Sequence, residues 1–169
     1  MINEKLLERL NKQLNYEFYS SHVYLATAGY CSSQDLPGFA NFFQVQAEEE
    51  KFHAMKFFNY INEMGGKVNL TSINSPINNF PSILDAFKDA LTHERIVTKK
   101  IYELMDVAVD EREHATISFL KWFIDEQVEE ESSFTNIVKR LERIGEDANA
   151  LYVLDDELAK RIFTPPINA

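Results

Sequence analysis

Four long segments of this chain each carry carboxylate or amide groups in the middle of a stripe that is otherwise apolar. In the first, Leu7, Leu10 and Leu14 lead to Glu17, then Ser21, Tyr24 and Ala28. In the second, Phe39, Phe42 and Phe43 lead to Gln46, Glu50 and His53, then Phe57, Tyr60 and Met64. The third reads Leu84, Phe87, Leu91, Glu94, Thr98, Ile101, Met105, and the fourth Leu120, Phe123, Ile124, Gln127, Glu130, Phe134, Ile137, Leu141. Spacing by three and four places each set on one helical face, which must be buried to be stable. Burying an unpaired carboxylate costs several kcal/mol. No Lys or Arg shares these stripes, and His53 offsets one charge at most. Two divalent cations would balance Glu17, Glu50, Glu94 and Glu130. A mixed oxygen and nitrogen donor set without thiolates suits iron or manganese better than structural zinc.

Turn signals divide the helices. The first is expected over about 3–31 and the second over about 36–64, with Asp35 as the cap before Pro37 and Gly65-Gly66 as the stop. Residues 65–80 lack helical period and read as a long crossover. Further helices are expected over about 82–109 and 113–144, the latter closing at Gly145, and a short amphipathic one (Leu151, Leu154, Leu158, Ile162) over about 147–162. The reading is all-α: two antiparallel hairpins joined by one long crossover into a four-helix bundle, with a short fifth C-terminal helix. At 169 residues the chain suits a single domain, 1–169.

The two hairpins repeat each other. Glu17 and Glu94 stand 77 residues apart, as do Glu49 and Glu126, Glu50 and Gln127, and His53 and Glu130. Within each hairpin, Glu17 precedes Glu50, and Glu94 precedes Gln127, by 33 residues. Matching register of this kind puts a pseudo-two-fold axis through the polar belt.

On these residues the chain resembles the non-haem bacterial ferritins over essentially its whole length. The matching pattern is Glu17 with Tyr24, Glu49-Glu50-Lys51-Phe52-His53, Glu94, and Glu126-Gln127-Val128-Glu129-Glu130. The connectivity is that of ferritin-like bundles. The resemblance implies a ferroxidase that oxidises Fe(II) with dioxygen, or with hydrogen peroxide, and stores Fe(III) as a hydrous oxide inside a homo-oligomeric shell of 24 subunits. It implies one iron on Glu17, Glu50 and His53 and a second on Glu50, Glu94 and Glu130, with Gln127 close by. A third iron would sit on the cavity side at Glu49, Glu126, Glu129 and Glu130. Tyr24 would supply electrons or orient ligands, and Trp122 would be a further electron source. The chain departs from the symmetric di-iron pattern, because Gln127 and Glu130 replace a second Glu-x-x-His. Weaker ligation of the second iron suits a site that passes iron on. Phe52 stands where a haem-binding methionine would be expected, so no haem is expected, and Met55 and Met64 read as packing residues.

The formal net charge of −10 argues against a nucleic-acid partner. No apolar run reaches membrane-spanning length. No leader is visible, and a lone Cys31 fits a reducing compartment, so the cytoplasm is expected. Acidic residues near the corner between the third and fourth helices (Asp106, Asp110, Glu111, Glu113) read as solvated surface, or as guides for cations towards pores. The alternatives are a di-iron oxidase or peroxidase without storage, a cytokine-like bundle, which leaves the core carboxylates unexplained, and a DNA-protecting miniferritin, whose metal site lies between subunits.

Overall fold

In the computed structural model, which describes residues 2–166, five helices follow one another. They are α1 (Glu4–Ser33), α2 (Pro37–Glu63), α3 (Ile83–Asp110), α4 (His114–Ile144) and α5 (Ala148–Leu158). Met1 and residues 167–169 of the anticipated single domain lie outside the described residues. Side-chain oxygens start four of the helices by accepting from orphan N–H groups: Asn3 for α1, Ser82 for α3, Glu113 for α4 and Asp147 for α5. After α2 and α4 the chain turns through Gly65 (φ 72°) and Gly145 (φ 56°), conformations that a side chain disfavours.

The start of α2 differs from expectation. Asp35 sits in the left-handed region (φ 55°), and Leu36 holds the cap position with no side-chain bond. The cap comes from far along the chain, where Asp155 of α5 accepts from Phe39 N at 2.9 Å. Sequence proximity favoured Asp35, but its strained turn conformation leaves the orphan N–H groups to a residue brought in by tertiary packing. Gly38 makes the docking possible, since a Cβ there would lie 1.7 Å from the Asp155 carbonyl oxygen.

The fifth helix is also shorter than expected. It stops at Leu158, whose carbonyl accepts from Asn41 Nδ2 at 3.0 Å; the same amide bonds Arg161 O at 2.9 Å just beyond the helix. Leu154 and Leu158 are buried and Leu151 half-buried, whereas Ile162, placed on the same face by the longer helix, is exposed.

Hairpins α1–α2 and α3–α4 pack through α1 and α3, and the crossover returns along α1. Asn11 and Asn15, one helical turn apart, hold it by backbone pairing: they accept from Asn69 N (2.7 Å) and Thr71 N (2.8 Å) and donate to Lys67 O (3.0 Å) and Asn69 O (2.8 Å). The core is in two halves. One, towards α5, is built on Phe39, Phe43, Phe87 and Phe134, with Phe43 and Phe87 ring centroids 4.6 Å apart. The other contains Leu10, Leu14, Phe57, Ile101, Leu120 and Phe123. Between these apolar plugs lies a belt of buried polar groups. In α1 Leu10, Leu14, Glu17, Tyr24 and Ala28 are buried as the stripe requires, whereas Leu7 and Ser21 are half-buried and their neighbours Leu6 and Ser20 are fully buried.

Candidate metal centre

The polar belt contains the functional candidates. Glu17, Gln46, Glu50, His53, Glu94, Gln127 and Glu130 are all at most 5% exposed. They come from all four long helices, at the level where mid-stripe positions face one another. Glu17, Glu50 and His53 offer ligand atoms that lie within 4.8 Å of one another, and His53, Glu126 and Glu130 form a second such group. Glu50, Glu94 and Glu130, the set implied for the second iron, do not form one among the described residues. Glu94 is instead occupied on both oxygens. Tyr24 OH donates to Oε1 and Gln127 Nε2 to Oε2 (3.0 Å), while Gln127 also reaches Thr98 Oγ1 (3.2 Å).

Hydrogen bonding divides the carboxylates into held and bare oxygens. Gln13 Nε2 donates to Glu17 Oε1 (2.7 Å), and Gln46 Nε2 donates to Glu50 Oε1 (3.1 Å) and Glu130 Oε2 (3.0 Å). Glu17 Oε2 and Glu50 Oε2 are buried with no hydrogen-bond partner, and Glu50 Oε2 lies 3.4 Å from His53 Nδ1. An unsatisfied buried acceptor is costly and rare. Two of them in one group with an imidazole have the donor chemistry of a divalent-cation site, so the residues fit iron.

Electrostatics agrees. Burial, then the neighbouring Glu50 charge, pushes the Glu17 carboxyl up to about 8. Glu50, Glu94 and Glu130 are raised by the same two causes, burial first and a neighbouring carboxylate second. Without a cation the belt therefore holds protons at neutral pH, and a metal ion would displace them.

The cavity-side candidates behave differently. Glu126 Oε1 lies 3.9 Å from His53 Nε2 and Glu129 is exposed. Glu49 forms an ion pair with Arg161 at 2.6 Å. Trp122 packs edge-on to His53 with centroids 5.3 Å apart, and Phe52 packs edge-on to Trp122. At the α3–α4 corner, Glu111 pairs with Lys5 and Glu113 caps α4, so two of the four acidic residues have structural partners.

Several contributors to this site were not singled out by the sequence. Gln13 lies just off the α1 stripe. Gln46 interrupts the α2 stripe as the carboxylates do, which was the available signal for its role. Arg161 gave none. Buried His93 bonds Ser20 Oγ through Nε2 (2.8 Å) beside the Tyr24 ring, and burial lowers its pKa to about 4. It is a neutral packing partner of Tyr24.

A four-helix bundle with one crossover and a belt of carboxylates shared among its four long helices defines a ferritin-like protein. Residues 7–144 match the family model described as Ferritin-like domain. The chain is 48% identical over 163 residues to a bacterial non-heme ferritin of Staphylococcus aureus (strain USA300), covering 96% of this chain and 98% of that protein, and 48% identical to one of Staphylococcus haemolyticus. An Archaeoglobus fulgidus ferritin engineered into a closed form superposes with a TM-score of 0.96 at 48% identity, covering 97% of this chain and all of that one. A humanized archaeal ferritin superposes with a TM-score of 0.97 at 47% identity, covering 98% and 100%. The chain belongs to the ferritin family, and its relatives are the non-haem ferritins.

Proposed function

We propose that this chain is the subunit of a cytoplasmic iron-storage ferritin and acts as a ferroxidase. The pairing of the two bare oxygens, Glu17 Oε2 and Glu50 Oε2, with His53 carries the proposal. Fe(II) is the substrate. Glu17, Glu50 and His53 bind one ion; Glu50, Glu94 and Glu130 bind the second, and Gln127 holds Glu94 only until iron draws it away. Each Fe(II) gives one electron, so two ions and two protons reduce one dioxygen to hydrogen peroxide, or one hydrogen peroxide to two waters, and metal binding releases the protons that the raised carboxyls hold. Glu94 swings its oxygens from Tyr24 and Gln127 towards metal, and Tyr24 stays close enough to hand over a proton or an electron. Glu49, Glu126, Glu129 and Glu130 receive iron on its way to an interior cavity, where it mineralises as a hydrous ferric oxide. The shell is a homo-oligomer of 24 subunits, each a single domain spanning 1–169. The ferritin relatives, the family model and the donor set support this reading.

The test is aerobic addition of Fe(II) to the assembled protein, following amber ferric absorbance and particle size together. Rapid oxidation with iron retained in a large shell supports the proposal. Oxidation without retention would point to a di-iron oxidase or peroxidase, and no oxidation would overturn the site.

A further inference from the structure

Beyond α5 the described residues stay on the bundle. Residues 161–166 fold back along α2 towards the metal centre, where Phe163, Thr164 and Pro166 line a small cleft with Glu49, Phe52, His53, Trp122 and Glu126. Phe163 packs edge-on to Phe52 with centroids 6.1 Å apart. The anchor is Arg161, whose guanidinium lies over the Phe42 ring (4.2 Å) and donates to Phe42 O (3.2 Å), Gln46 Oε1 (2.8 Å) and Glu49 Oε2 (2.6 Å). Three acceptors and a ring face are a demanding set that a rigid fork of donors meets well.

Two of those acceptors lead to the centre. Glu49 is one of the cavity-side carboxylates that the proposed function gives to the third iron. Gln46 accepts from Arg161 through Oε1, which turns its Nε2 towards Glu50 and Glu130. A cation supplied by the chain itself therefore stands on the carboxylate that a third metal ion would need. The Arg161 guanidinium, 2.6 Å from Glu49 Oε2, opposes a metal ion on the same carboxylate, because like charges at contact distance repel.

Resting on the ferritin reading, we infer that the C-terminal segment 161–166 is a displaceable strap: Arg161 and a metal ion at the cavity-side site compete for Glu49. Binding there releases the strap and frees the Gln46 amide. Iron arrival on the cavity side is thereby coupled to the support of Glu50 and Glu130. Reciprocity requires that the docked strap weaken the third ion, favouring onward movement of iron. Arg161 is a positioning residue in this scheme, acting through Glu49 and Gln46.

The experiment uses the full assembled protein and Zn(II), which binds without redox chemistry. Isothermal titration counts the equivalents bound per subunit, and the fluorescence of Trp122, which lines the same cleft as Phe163, reports strap release. In the wild type, Trp122 fluorescence changes as the third equivalent binds. Arg161→Gln tightens the third equivalent by roughly three- to tenfold and changes the first two less. Arg161→Lys restores most of the wild-type value, because it keeps a charge on Glu49; a purely structural role would not give that recovery. Unchanged third-site affinity in Arg161→Gln, Trp122 fluorescence indifferent to the third equivalent, or only two equivalents bound would overturn the strap while leaving the ferroxidase centre standing. A protein that bound no Zn(II) at all would overturn both.

Discussion

Tyr24 of α1 donates its hydroxyl to Glu94 of α3, joining the two hairpins across the polar belt, and Gln127 of α4 holds the other Glu94 oxygen. Burial, followed by the Glu94 charge, raises the Tyr24 phenol well above its ordinary value, so it remains a proton donor across the accessible pH range. The pair keeps Glu94 folded against protein donors until something stronger draws it away.

Tyr24→Phe removes that donor without changing the packing of the ring against Phe43 and Phe134. The metal-free protein should lose about 1–2 kcal/mol of stability, the range for one bond to a carboxyl. Fe(II) oxidation should slow several-fold while shell size is unchanged. Thermal unfolding and stopped-flow absorbance measure the two effects, and wild-type kinetics would remove Tyr24 from the mechanism.

Removal of a ligand separates binding from folding. His53→Ala and Glu94→Ala should slow oxidation by about 10- to 100-fold or more, since even outer partners of metal ligands have effects of that size. Particle size should be unaffected. Unaltered rates in both variants would refute the assigned centre.

Glu17→Gln tests the same site in the opposite sense. It replaces a bare, buried carboxylate by a neutral group of the same shape, so the metal-free variant should be more stable than wild type at pH 9. An increase of 1 kcal/mol corresponds to roughly 2–4 °C at this chain length. At pH 5, where the wild-type carboxyl is protonated, the difference should vanish. Zn(II) should stabilise the wild type and much less the variant. Loss of stability at both pH values would mean that Glu17 has a structural role.

The raised carboxyls also set the pH dependence of the metal-free protein. Glu17 titrates at about 8 when folded, against 4.5 for the free group, so the folded state holds a proton that the unfolded state has lost across that interval. Its contribution is fully present below about pH 4.5 and disappears as pH rises through about 8. Glu50, Glu94 and Glu130 act in the same direction. Melting temperature should therefore fall between pH 5 and pH 9 without metal. Saturating Zn(II) should flatten or reverse the trend, with protons released on binding. A metal-free protein that gains stability over this range would contradict the protonated belt.

Asp155 ties α5 to the first turn of α2. Asp155→Ala removes the acceptor of Phe39 N and should cost about 1–2 kcal/mol, as for loss of a helix cap. Gly38→Ala should be worse, because its Cβ would overlap the Asp155 backbone. Equal melting temperatures for wild type and Gly38→Ala would show that α5 docks elsewhere.

Local pattern determined a good deal of this protein by itself. Three-and-four spacing placed four long helices to within a few residues, Gly65 and Gly145 marked two of their ends, and polar residues inside apolar stripes identified Glu17, Glu50, His53, Glu94, Gln127 and Glu130 as a buried belt. These are properties of a single helix face, so residues near in sequence suffice to show them. The 77-residue register even implied that the two halves meet. Tertiary structure alone decided the rest. It left Glu17 Oε2 and Glu50 Oε2 bare while Tyr24 and Gln127 claimed Glu94, it gave the α2 cap to Asp155 in place of Asp35, and it set Asn41 on the carbonyl of Leu158, where α5 ends. It also set Arg161 on Glu49, 112 positions away. Each of these depends on donors and acceptors that meet only after the helices have packed, and helical periodicity carries no record of which oxygen will find a partner.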